Sequence, residues 1–261
     1  MPVNAPHHIM KRFDQEMDDV KKLILSMGAL VERAIENAIS SIINQDESLA
    51  RKTIERDKTI NALEVECDEL TRNIMVRRQP AAGDLRFIIA IIKLVEDLEH
   101  MGDLAASIAT TALQTSKQPS NYYDSIETMG EKVVEQMHNA LDALARGDIE
   151  MAIDVIARDK KIDKRHRAMQ REVLTYMMED PRSISQLLNL STVAKQLERI
   201  SDHAVNVAKL VIYITSGQDV RHIDIKAVKE LVNYNNDKPG KDKVSKAPLS
   251  DEISNEESEV E

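Results

Sequence analysis

A chain of 261 residues, 42% hydrophobic and 31% charged, holds enough apolar matter for one or two packed cores and is not disordered as a whole. Aromatics at 3%, no Trp, and seven Gly and seven Pro leave little turn chemistry, so the composition reads as long helices. The formal net charge of −10, with six acids and no base in Ser250 to Glu261, argues against general nucleic-acid binding, and the single Cys67 excludes an internal disulfide or a Cys-based zinc knuckle.

The first predicted element is a long amphipathic helix, in which Phe13, Met17, Val20, Ile24, Met27, Val31, Ala34, Ala38 and Ile42 recur every three or four residues. It stops near Asn44. Asp46 caps a second helix that carries Ile54, Ile60, Leu63, Cys67, Leu70 and Ile74 to about Arg78, with Cys67 as a small core residue. Gln79 to Gly83 is a breaker containing Pro80, with Asp84 expected as the next N-cap. A third helix then runs to about Ser116 on the seam of Ile88, Ile91, Val95, Leu98, Gly102, Ala105 and Ala109. Ser116 to Asn121 is strong punctuation. A fourth helix spans about Tyr122 to Arg146, and Gly147 followed by Asp148 stops it and caps the fifth, which reaches Glu179. Past Pro181, Ser183 to Gln186 reads as a capping box for a sixth helix that ends near Ser216 and Gly217. Lys226 to Val232 is expected as a short helix, and from Asn236 the composition predicts disorder.

The chain repeats itself. Leu98-Glu99-His100-Met101-Gly102-Asp103 returns as Leu197-Glu198-Arg199-Ile200-Ser201-Asp202 in a matching helical context 99 residues later, and the stretch from Asp46 to Asn61 returns from Asp148 to Asp163 at an offset of 102. Three helices joined by short turns pack antiparallel, so the fold expected is all-α: two tandem antiparallel three-helix bundles, over residues 8–117 and 121–217. Residues 218–261 are expected to form an acidic C-terminal extension, mostly disordered. No secretory h-region lies between Met1 and Lys22, and the run Phe87 to Ile92 is far below the ~20 residues of a membrane span, so a soluble cytoplasmic protein is expected.

Geometry gives the acids a meaning. On a helix, Glu99 with Asp103 and Glu198 with Asp202 each put two carboxylates on one face, about one turn apart. Counting back from the turns, Asp57 with Asn61 stands level with the first pair, and Asp159 with Asp163 stands level with the second. Single acidic pairs are common solvated features, but chance does not supply two level pairs per repeat in both repeats. Clustered carboxylates repel unless a cation compensates, and an all-oxygen set suits Mg, Mn or Fe, with Zn if His100 or His203 joins. Asn61 stands where the second repeat has Asp163, so the first site is expected to be the weaker.

These residues resemble the PhoU family, over about Asp14 to Gly217. The resemblance rests on two helical repeats, each with an Asp-x-x-x-Asp-like pair after an Arg on its second helix (Asp57 and Asn61; Asp159 and Asp163) and Leu-Glu-x-x-x-Asp on its third (Glu99 and Asp103; Glu198 and Asp202). It implies two three-helix bundles, a homodimer and metal ions on that acidic surface. It also implies a non-enzymatic cytoplasmic regulator of phosphate uptake. Such a protein contacts the ATP-binding subunit of the phosphate ABC transporter and the phosphate sensor histidine kinase, reaching the membrane only through them. A contrasting reading, a carboxylate-bridged di-metal oxidase or iron store, needs two Glu-x-x-His copies in the core. The chain offers one, Glu135 to His138.

Overall fold

The computed structural model describes residues 5–115, 123–221, 223, 227 and 228, with side chains from Arg12 onward. It contains α1 (Ala5–Ile43), α2 (Glu47–Arg78), α3 (Ala82–Gln114), α4 (Tyr123–Arg146), α5 (Ile149–Glu179), a 3₁₀ turn (Pro181–Ser183) and α6 (Ile184–Ser216). The all-α, six-helix expectation holds. The junction at Ser116 to Asn121, nearly all of the short helix at Lys226 to Val232 and the tail from Asn236 lie outside the described residues. Among the described residues no helix is long and apolar enough to cross a membrane.

The caps explain most boundaries. Asp46 and Asp148, both in extended backbone, accept from the N–H groups of Leu49 and Met151, and so satisfy a free donor at the starts of α2 and α5. Gly147 (φ +61) and Gly217 (φ +77) close α4 and α6 in the left-handed region that favours glycine. Two expected caps do not form. The backbone is already helical at Asp84, whose N–H donates to the Ala81 carbonyl, so α3 starts at Ala82 and Asp84 sits in its first turn. Ser183 is the last residue of a 3₁₀ turn capped by Asp180, and its hydroxyl donates back to the Asp180 carbonyl at 2.7 Å. No box closes, because the chain enters α6 without leaving helical backbone.

Each set of three helices folds up-down-up. α3 and α6 bury the most apolar side chains, while α2 is a flanking helix that buries chiefly Ile60, Cys67 and Ile74. Burial pushes the Cys67 thiol up to about 12, so the cysteine is a core residue as expected. The two repeats meet along α3 with α6 and α1 with α4, and one apolar cluster runs through all six helices.

The meeting is antiparallel and two-fold. At the α1/α4 seam a Cβ on Gly28 would lie 2.6 Å from Leu141 Cδ2, and one on Gly130 would lie 2.9 Å from Ile39 Cγ2. Gly28 and Gly130 are repeat equivalents, as are Ile39 and Leu141, so one contact is the image of the other. At the α3/α6 seam, Asn206 Nδ2 donates to Asp97 Oδ1 at 3.2 Å and Gln196 Nε2 donates to Ser107 Oγ at 2.5 Å. These are images too, since Asp97 corresponds to Gln196 and Ser107 to Asn206. A pseudo-dyad therefore passes between α3 and α6 and on between α1 and α4. Rotation about it carries features of one repeat onto the other without turning them over.

Candidate metal centres

The eight acidic-face residues gather as two clusters, one per repeat. In the first, Asp57 and Asn61 from α2 meet Glu99 and Asp103 from α3. Asn61 Nδ2 lies 3.4 Å from Asp57 Oδ2, whereas Asp57 Oδ1 and Asn61 Oδ1 are buried without a hydrogen-bond partner. The helices approach closely here because residue 102 is glycine: a Cβ would sit 3.1 Å from Ile60 and 3.3 Å from Asp57 Oδ1. Burial, then the charges of Asp103 and Glu99, raise Asp57 above the usual carboxylate range. Asp103 is raised by burial and by Glu99. Glu64, one turn along α2, is raised by burial and by Glu99, which adds a carboxylate that the paired spacing did not reveal.

In the second cluster, Asp159, Asp163 and Asp202 each offer an oxygen within 4.8 Å of the others. Loss of water around the Asp202 carboxyl, then the charges of Glu198, Asp159 and Asp163, raise it to about 6. Glu198 thus belongs to the cluster, while accepting from Lys195 Nζ at 2.5 Å. Ser201 Oγ donates to Asp159 Oδ1 at 2.7 Å, and Gln136 Nε2, from α4, lies 3.4 Å from the same oxygen. Gln136 comes from α4, the first helix of the bundle; it lies 11 residues before Gly147 and Asp159 lies 12 after it, so the two stand level across the α4/α5 hairpin, which counting from the α5/α6 turn alone does not reach. His166, one turn beyond Asp163, is buried and held below the usual imidazole range by that burial, with Gln170 Nε2 at 3.0 Å.

The other histidines go elsewhere. His203 reaches across the dyad to Asp97, 2.7 Å from Nδ1 to Oδ1, and Asn206 joins it there, so both belong to the seam rather than to the α5/α6 cluster. His100 sits 2.6 Å from Glu99 and edge-on to His203, with ring centroids 5.5 Å apart. Glu135 and His138 do not converge: Glu135 takes Arg158 at 2.8 Å, and His138 takes Glu32 at 2.8 Å on the α1/α4 seam.

The second donor set could hold a divalent cation. In the second, three carboxylate oxygens converge, whereas in the first two buried oxygens are left without a hydrogen-bond partner among the described residues. Rotation about the dyad between α3 and α6 carries one cluster onto the other.

Comparison with known proteins reaches the same repeats. The PhoU domain model matches residues 24–112 and again 126–211, one match per bundle. The chain is 44% identical over 232 residues to the phosphate-specific transport system accessory protein PhoU homolog of Pseudomonas aeruginosa, covering 88% of this chain and 96% of the relative. To the Escherichia coli K12 accessory protein PhoU it is 38% identical over 222 residues, 85% of this chain and 92% of the relative. The crystal structure of the phosphate transport system regulatory protein PhoU from Streptococcus pneumoniae superposes with a TM-score of 0.74 at 27% identity, over 80% of this chain and 99% of that one. With both repeats matched and these relatives covered almost end to end, the chain belongs to the PhoU family, a non-enzymatic one.

Proposed function

We propose that this protein is a phosphate-transport accessory and regulatory protein that restrains phosphate-starvation signalling when phosphate is plentiful. It does so from the cytoplasm, by binding the ATP-binding subunit of the phosphate ABC transporter and the phosphate sensor histidine kinase. Identity to accessory proteins over nearly their whole length supports this. The observation that carries the metal part is the pair of dyad-related acidic clusters, with orphaned oxygens in one and converging carboxylates in the other. Asp57, Asn61, Glu99 and Asp103 would hold one cation, and Asp159, Asp163, Glu198 and Asp202 the other. A bound cation would cancel the repulsion that raises these carboxyls and so stiffen the α2/α3 and α5/α6 pairs.

A homodimer fits the surface. Exposed large apolar side chains concentrate at the two hairpin ends in repeat-equivalent positions: Val76, Leu85 and Ile89 in the first repeat, and Met178, Ile184 and Leu188 in the second. The oxidase alternative loses its footing, since the carboxylates flank the core and Glu135 and His138 pair apart. A pulldown of the full chain from cells grown in ample phosphate tests the reading. Recovery of transporter ATPase and sensor kinase is expected, and recovery of neither contradicts it.

A further inference from the structure

On the side of the molecule away from the α3/α6 seam, α1 and α4 frame a groove of about 570 Å³. Its apolar floor is Ile39, Ile43 and Val134, and Glu36, Glu127 and Glu131 stand along its edges. Two further glutamates that reach it are already paired, Glu32 with His138 and Glu135 with Arg158. Glu36, Glu127 and Glu131 have no cationic partner among the described residues and are exposed.

The dyad supplies an internal control. Rotation maps this half of the seam onto its other half, where the positions of Glu127, Glu131 and Glu135 are held by Leu25, Ala29 and Arg33, and that of Asn44 by Arg146. Two-fold packing alone would give both halves the same character. The acidic groove is a departure from the repeat, made by α4, at the place where Gly130 brings the helices together.

We propose that this groove docks a cationic amphipathic helix of a partner protein. The seam from Glu32 to Asn44 runs ~18 Å, about three helical turns, and a third helix laid along it would set an apolar stripe on Ile39, Ile43 and Val134. Lysines or arginines flanking that stripe would meet unpaired carboxylates on both edges, which is the charge complement that the groove lacks among the described residues. An extended or acidic segment matches neither the floor nor the rims. This surface is separate from the acidic clusters, so the proposal stands whether or not they bind metal.

The test is fluorescence anisotropy on the full chain in chelator, with an 18-residue probe peptide of leucine and lysine at helical spacing. Binding that weakens with salt is expected. The pair Glu36→Lys with Glu131→Lys should weaken it about tenfold, and the pair Glu36→Gln with Glu131→Gln by a smaller factor. The same reversal on α2, Glu66→Lys with Glu69→Lys, should change it less than about twofold. Equal losses in the groove and α2 pairs would show diffuse attraction to an acidic protein and overturn the proposal. So would equal affinity for a lysine and serine probe, since the apolar floor would then play no part.

Discussion

The two acidic clusters share a backbone plan but stabilise their charges differently. Asp159 receives Ser201 and Gln136, while its equivalent Asp57 receives only Asn61, because Gly102 and Ala34 hold the positions of Ser201 and Gln136. The second cluster also has nearby positive charge, Lys195 acting on Asp202 and Arg167 on Asp163, where the first has Glu96 and Val65. Duplication conserved the carboxylate geometry and let the compensation diverge. The second site is built to exist as paired charge, and the first is left with two oxygens that nothing among the described residues satisfies.

Equalising the sites should expose that difference. Ser201→Ala takes a charge-assisted donor from Asp159 and should cost about 1.5–3 kcal/mol in metal-free denaturant unfolding. A cost near zero would mean that the hydroxyl contributes nothing. The converse change, Gly102→Ser, gives the orphaned Asp57 oxygen a donor and a helix interior a side chain. It should stabilise by about 1 kcal/mol if the Ile60 side chain yields a few tenths of an ångström. Destabilisation would show that the α2/α3 approach is already at its limit.

A pH slope tests the same difference. Asp202 moves from an ordinary 3.8 to about 6 on folding, so between those values the native state holds a proton that the unfolded chain has released. Its stabilising contribution is present below 3.8 and lost as pH rises through about 6. Metal-free protein should therefore lose stability over that window, and Asp202→Asn should flatten the curve there. An unchanged slope in the variant would assign the titration to another carboxyl.

Much of this was legible in the residues. The three- and four-residue spacing of Val20, Ile24, Met27 and Val31, the caps at Asp46 and Asp148 and the stop at Gly147 are local signals, and local backbone chemistry decides them. The level acidic pairs followed from counting along two hairpins. Gln136 was reachable in the same way, along the α4/α5 hairpin; what counting could not reach depends on packing between helices that no turn joins: the His203 and Asp97 clasp, and the dyad itself. The missed caps failed for a different reason, since Asp84 and Ser183 have the right chemistry but sit where the backbone is already helical.

The most direct test of the account is a calorimetric titration of Mn into wild type, Glu198→Ala with Asp202→Ala, and Glu99→Ala with Asp103→Ala. Two classes of bound metal are predicted in wild type. The α6 pair should lose the tighter class together with most of the metal-induced rise in melting temperature, and the α3 pair should lose only the weaker class, since Asn61 supplies an amide oxygen where the other site has Asp163. Identical titration curves for all three proteins would contradict it.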